Sequence, residues 1–318
     1  MLKDLTYKVI IIDDEEDLYE DYVEFIDEKL KTEGYILIHE RYEELRDLED
    51  NSLNDVDLFL VDLKFGKEDK GPEFIKKIRE KYLTDILFYS SDSKSIQKYR
   101  TSGEYQGVFF AIRDENKKEI LELIAQLIGK MIKRSNTPLS SRGILLGCVA
   151  EIDNIIRSKI ASVLSRIEPD QRKDLMDKCT RLYYDSYKGQ SKRLNDFFGA
   201  DFHTGLKEWQ DVKSSFPDYD LSELVNNVKI TDSNKNFNVL LKAYKALKGK
   251  DKVYEAISSF NSLLDERNIF AHVQEELNKD SNYQFKRLNT DDYLVLTEEK
   301  CRELRTGIIN YYLHINSL

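Results

Sequence analysis

The sequence predicts two units in one chain. The first is a doubly wound α/β domain on a five-stranded parallel sheet, and the second is a helical bundle with a small hairpin. Three observations carry this prediction. Short β-branched runs alternate with amphipathic helical segments through residue 132. A Ser-, Pro- and Gly-rich stretch, KRSNTPLSSRG at 133–143, then breaks the periodicity and reads as a linker. From residue 144 to 318 the pattern is almost wholly helical.

The strands of the first unit are read from their apolar runs. YKVIIID (7–13) suits a central parallel strand buried on both faces. YILIHE (35–40), VDLFLVDL (56–63), DILFYSS (85–91) and GVFFAIR (107–113) follow as strands two to five. Between them Leu18, Tyr22, Phe25, Ile26 and Leu30 recur at helical spacing, GPEFIKKIREKY (71–82) reads as a helix, and NKKEILELIAQLIGKMI (116–132) closes the unit. Strand and helix taking turns means a parallel sheet covered on both faces.

In the second unit Leu145, Cys148, Ile152, Ile155, Ile156, Ile160, Val163, Leu164 and Ile167 make one apolar stripe. Further helices are predicted over 170–188, 204–215, 234–248 and 251–278, a hairpin over 283–296 turning around Asn289–Asp292, and a last helix over 297–315.

Composition bounds the function classes. A length of 318 residues fits about two domains of ~100–200 residues. No apolar run approaches the ~18–20 residues of a membrane span, and MLKDLTYKVIIIDDEED lacks the features of a signal peptide. Cys148, Cys179 and Cys301 are widely spaced and odd in number, which fits reduced thiols in a cytoplasm. The net charge of -10 sits in the first unit. Residues 1–130 hold 20 Lys and Arg against 32 Asp and Glu, whereas 131–318 hold 29 against 27, which leaves nucleic acid open as a partner of the second unit alone. The chain has no P-loop, HExxH or GxSxG.

Ligands of an open parallel sheet collect at the carboxyl ends of its strands. Asp13 and Asp14 end the first predicted strand, Asp62 nears the end of the third, Ser90 and Ser91 end the fourth, and Arg113 ends the fifth. Three neighbouring carboxylates repel one another unless a divalent cation sits among them, and magnesium suits oxygen ligands. Such an ion neutralises phosphate oxygens while the Asp62 carboxylate attacks phosphorus. The bland alternative is a sheet of the same kind with no phosphoryl chemistry.

This constellation resembles the receiver domain of bacterial response regulators, over residues 7 to about 128. The resemblance implies Asp13 and Asp14 as the acidic pair, Asp62 as the phosphorylated residue, Ser90 as the switch hydroxyl, and a histidine kinase or other signalling protein as partner. The chain departs from the family in carrying Arg113 where lysine is usual. It also has Gly66 and Gly71 four and nine residues after Asp62, where the family tends to have Pro four on and Gly eight on. Arginine still pairs with phosphate, but as a planar fork and not as a point charge.

In the second unit Val253, Ile257, Phe260, Leu264, Arg267 and Ala271 fall on one stripe, so Arg267 occupies an apolar position and needs a partner, a ligand or an open interface. Asn268 and His272, four apart, share a face beside it. A fixed cation, an amide and an imidazole suit RNA cleavage: His272 as base or acid on the 2′-hydroxyl and leaving oxygen, Arg267 on the phosphate, Asn268 orienting either. RNA supplies the nucleophile, no metal is needed, and the product is a 2′,3′-cyclic phosphate. The alternatives are ion pairing inside a bundle, or a silent domain that only binds a partner. RKDLMDKCTR (172–181) and KAYKALKGKDK (242–252), with Tyr183, Tyr184 and Tyr244, are candidate RNA-tracking and base-stacking segments or plain solvated faces.

RNIFAH, with Arg267, Asn268 and His272, resembles the motif of the HEPN superfamily of helical ribonucleases, and the resemblance extends over about 142–318. It implies a homodimer with two motifs facing each other, and a role in stress response or anti-phage defence. The expected whole is a receiver-controlled, metal-independent endoribonuclease. The alternative is a non-enzymatic signalling adaptor.

Overall fold

In the computed structural model, residues 2–43, 53, 55–63, 78, 84–102, 107–199, 207–212, 214, 221–227, 231–287 and 290–318 are described. The first unit is a doubly wound α/β layer. Its strands are β1 (Thr6–Ile12), β2 (Ile36–Tyr42), β3 (Leu58–Asp62), β4 (Asp85–Ser90) and β5 (Val108–Ile112). All pair in parallel in the order β2-β1-β3-β4-β5, the doubly wound order expected for this class. Among the described helices, α1 (Glu16–Thr32) follows β1, α2 (Ser93–Ser102) follows β4, and α3 (Lys118–Ser135) follows β5. The predicted helix over 71–82, with Gly66 and Gly71, lies outside the described residues apart from residue 78.

Side-chain alternation divides the sheet. Val9, Ile11, Leu58, Leu60, Leu87, Tyr89 and Ala111 face α1 and α3 in one core, while Ile10, Ile12, Phe59, Val61, Ile86 and Phe88 form the other. A two-residue period makes this parity extend to whatever follows each strand.

The second unit is helical. Its described helices are α4 (Pro138–Ser165), α5 (Pro169–Phe198), α6 (Trp209–Val212), α7 (Leu221–Asn226), α8 (Ser233–Lys248), α9 (Lys252–Ser258), α10 (Phe260–His272) and α11 (Glu298–Asn316). The α4 stripe is buried at every predicted position except Ile155, which is partly buried, and the helix packs against α8, α10 and α11. No described helix is long and apolar enough to cross a membrane. All three cysteines are buried and free of disulfides.

Three local expectations change. The 133–143 stretch is helical except at Asn136 and Thr137. Thr137 is an N-cap whose Oγ1 accepts the Ser140 amide at 3.3 Å, and Pro138 opens α4 at the position where its missing N–H costs nothing. The single helix predicted over 251–278 is instead α9 and α10 with a break at Ser259, and it stops at His272 because Val273 is extended. Residues beyond it form β6 (Glu276–Leu277), which joins the predicted hairpin strands β7 (Tyr283–Lys286) and β8 (Tyr293–Leu296) in an antiparallel sheet. Asn289 of the predicted turn is outside the described residues.

The two units share one continuous apolar core. Leu2 and Leu5 are buried beside the middle of α4, where the Lys3 amide meets Glu151 at 3.3 Å. At the end of α1, the fully buried Arg305 of α11 donates to the Glu33 carbonyl at 2.7 Å and to Asn136 Oδ1 at 2.8 Å, and its guanidinium lies 4.9 Å from the Tyr35 ring centroid. Gly34, with φ of 74°, lies so close that a Cβ there would stand 2.7 Å from Arg305 Cβ. A side chain is excluded at that position both by backbone conformation and by space.

Candidate phosphoryl-acceptor site and candidate ribonuclease motif

The parity of the sheet assembles the first site. Asp13 continues the Val9–Ile11 series, Asp62 the Leu58–Leu60 series, Tyr89 follows Leu87, and Arg113 follows Ala111. All four therefore project to the α1 side at the carboxyl edge of the sheet. One carboxylate oxygen each from Asp13, Asp14 and Asp62 lies within 4.8 Å of the others. Asp13 and Asp62 are buried, and Asp14 is exposed.

The partners of these groups define the electrostatics. Asp13 Oδ1 accepts the Glu15 amide at 2.8 Å, and its Oδ2 accepts the Tyr89 hydroxyl. Arg113 Nη2 meets Glu15 Oε1 at 2.8 Å, and its Nη1 lies 3.5 Å from Asp62 Oδ2, an ion-pair distance without hydrogen-bond alignment. Arg41 donates to the main-chain carbonyls of Asp13 (3.2 Å) and Asp14 (2.9 Å). Burial raises the Asp13 carboxyl above the ordinary carboxylate range, although the Tyr89 and Glu15 hydrogen bonds and the charge of Arg113 pull the other way. Burial works against the charge on Arg113, but the Asp62 and Glu15 carboxylates outweigh it and hold the guanidinium more firmly protonated.

Four carboxylates, of Asp13, Asp14, Glu15 and Asp62, thus gather beside one guanidinium, of Arg113, while Arg41 is engaged by the Asp13 and Asp14 main-chain carbonyls and by Glu43. The excess is negative, the ligand atoms are hard oxygens, and their spacing suits one small divalent cation. The residues fit such an ion.

Ser90 has the other parity, following Ile86 and Phe88. It is buried, its Oγ accepts the Asp92 amide at 3.2 Å, and its carbonyl accepts the Arg113 amide at 2.8 Å. The structure thus brings Asp13, Asp14, Asp62 and Arg113 together, and ties Ser90 to Arg113 through the backbone. Tyr89, Tyr22 and Arg41 were not singled out in the sequence. Parity alone could have found Tyr89, since it shares its side of the sheet with Asp13.

In the second unit, Arg267 is half-buried on α10. Its Nη1 donates to Asn268 Oδ1 at 2.8 Å, while its buried Nε has no hydrogen-bond partner. His272 is exposed at the last turn. Ala271, predicted on the buried stripe, is also exposed, because α10 leaves the core before its end. Beside this end Arg142 of α4 holds the Val273 carbonyl at 2.7 Å and Glu275 at 2.5 Å. The aromatic residues read as base-stacking candidates are otherwise engaged. Tyr183 and Tyr244 are buried, Tyr244 donates to Asp251 at 2.9 Å, and Tyr184 donates to the Lys207 carbonyl at 2.6 Å and packs on Trp209.

No protein-family profile matches the chain, and no curated protein does. Among solved structures, full-length FixJ from B. japonicum is similar at 12% identity and a TM-score of 0.29, over 75% of this chain and 97% of that one. A likeness this loose bears on neither site.

Proposed function

We propose that the first unit is a signalling receiver that accepts a phosphoryl group on Asp62 in the presence of a divalent cation. The observation that carries this reading is the convergence of the Asp13, Asp14 and Asp62 oxygens within 4.8 Å beside the Arg113 guanidinium. Asp13, Asp14 and Asp62 would hold magnesium, which supplies charge neutralisation for phosphate oxygens. An Asp62 carboxylate oxygen bonds to phosphorus as the bond from phosphorus to the donor breaks, and the donor leaves with that electron pair. Arg113 steadies the added charge and must loosen its hold on Glu15 or Asp62 to do so. The chemistry requires a phosphoryl donor, and a histidine kinase or another signalling protein is the donor class we propose.

The reading is tested with acetyl phosphate, from which acetate leaves. Incubation with magnesium should add one phosphoryl group to the intact mass of the full chain, and Asp62→Asn should abolish the gain. No gain in the parent protein overturns the reading.

A second reading concerns α10, and the buried unpartnered Nε of Arg267 favours it. A guanidinium donor kept out of water, on the helix whose last turn carries an exposed imidazole, supports phosphate binding by the one and proton transfer by the other. In this reading the second unit is a HEPN-like ribonuclease active as a homodimer. His272 removes the 2′-hydroxyl proton or protonates the leaving 5′-oxygen, Arg267 holds the phosphate, and Asn268 orients Arg267. The 2′-oxygen bonds to phosphorus, the bond to the 5′-oxygen breaks, and the products are a 2′,3′-cyclic phosphate and a 5′-hydroxyl. A mixed RNA pool in EDTA should be cut by the parent and not by His272→Ala, a loss on the order of 100-fold or more. If the parent leaves the pool intact whether or not Asp62 carries phosphate, the second unit is a partner-binding domain of a non-enzymatic adaptor.

A further inference from the structure

The Tyr89 hydroxyl donates to Asp13 Oδ2, and both groups are fully buried beneath the carboxylate cluster. Tyr22 of α1 packs its ring edge-on against Tyr89, with centroids 5.4 Å apart and planes at 67°. This is a favourable aromatic geometry, and it limits where the Tyr89 phenol can point. We propose that Tyr89, held by Tyr22, positions the Asp13 carboxylate for a divalent cation. The inference rests on the cation reading above and deepens it, since it names the residue on which the cation's affinity depends.

Two arguments lead to this assignment. Asp13 carries two own-chain hydrogen bonds, one on each oxygen, from the Glu15 amide at 2.8 Å and from Tyr89. Each oxygen keeps one lone pair, and the direction of both remaining pairs is thereby set. A carboxylate held at both oxygens does not swing on losing or gaining an ion, which is how outer partners tune a metal site. Independently, the Tyr22 hydroxyl is fully buried, has no hydrogen-bond partner, and lies in the field of Asp13, Arg113, Asp62 and Glu15. An unsatisfied buried hydroxyl is costly. Its place against this cluster marks the floor as one that receives a polar ligand and not an apolar one.

The test is a manganese titration of the full chain, with free Mn2+ read by electron paramagnetic resonance and magnesium competing. Asp13→Asn identifies the binding that belongs to this site. Tyr89→Phe keeps the ring and removes the donor, and should weaken Mn2+ binding about tenfold or more. A merely structural role would lower the thermal midpoint without cation and leave the affinity unchanged, so that result overturns the proposal. Absence of Asp13-dependent binding in the parent removes the cation reading itself, which is a distinguishable failure. Should Tyr89→Phe not fold, 3-fluorotyrosine placed at 89 keeps the hydroxyl. Its fluorine resonance should then shift on adding magnesium, and an unmoved resonance overturns the proposal.

Discussion

Arg305→Ala is expected to lower the urea midpoint of the whole chain, by the equivalent of about 2–3 kcal/mol. The size follows from what the side chain leaves behind. Arg305 is 2% exposed, and its guanidinium serves the Glu33 carbonyl, Asn136 Oδ1 and the Glu33 carboxylate at 2.7, 2.8 and 3.5 Å. Glu33 is the residue that ends α1, so its carbonyl is one that the helix itself cannot satisfy. A cation at that end also complements the helix dipole. Glu33 keeps a second cation, Arg302 at 3.0 Å, which holds the loss below that of a stranded buried charge. Alanine additionally vacates the space against the Tyr35 ring.

The transition should remain single, because the apolar core runs unbroken from the sheet face into α4 and α11. Equilibrium urea unfolding followed by circular dichroism decides the point. A midpoint within error of the parent would mean that the shared core alone joins the units. The same junction lies at the far end of the helix that begins beside Asp13, Asp14 and Glu15. A change at the carboxylate cluster therefore has one continuous helix, α1, between it and Arg305.

The fold was legible because its signals are local and repeated. Each of the five strands is an apolar run bounded by polar residues, and the α4 stripe recurs at helical spacing over more than twenty residues, from Leu145 to Ile167. The carboxylate cluster was legible for a topological reason. Once the strands are parallel, their carboxyl ends share an edge, and Asp13, Asp62 and Arg113 stand there at one parity. What sequence reading missed depends on signals with two meanings. Thr137–Pro138 reads as a break in periodicity, but the same dipeptide is an N-cap and first-turn pair. The end of α10 at His272 has no Gly or Pro to announce it, so the periodic pattern seemed to run on to 278. Tyr89 looks like one more apolar strand residue until its hydroxyl is seen to need a partner, and Asp13 is a partner only in three dimensions.

Asp13→Asn is expected to raise the thermal midpoint in the absence of divalent cations and to erase the response to magnesium. The folded carboxyl is raised above its unfolded range, with burial as the main cause. Between the unfolded value of about 3.9 and the higher folded value, the native state holds a proton that the unfolded chain has released. The Asp13 contribution to stability is therefore fully present below the unfolded value and is lost as pH rises through the folded one. Asparagine carries no charge to bury, so its advantage over the parent should be small near pH 4, grow as pH rises, and level off. The substitution suits the local donors: an asparagine oxygen can accept the Glu15 amide, and the Tyr89 hydroxyl can turn to accept from the amide nitrogen. Magnesium reverses the order. An ion bound only by the native state adds about 2.7 kcal/mol at a hundredfold excess over its dissociation constant, and only the parent gains it. Melting curves at pH 5 and 8, with and without magnesium, check all four arms. A variant less stable than the parent at pH 8 without cation would show that Asp13 is held as a structural anchor. The cluster would then have to be explained without a stored electrostatic cost that a cation relieves.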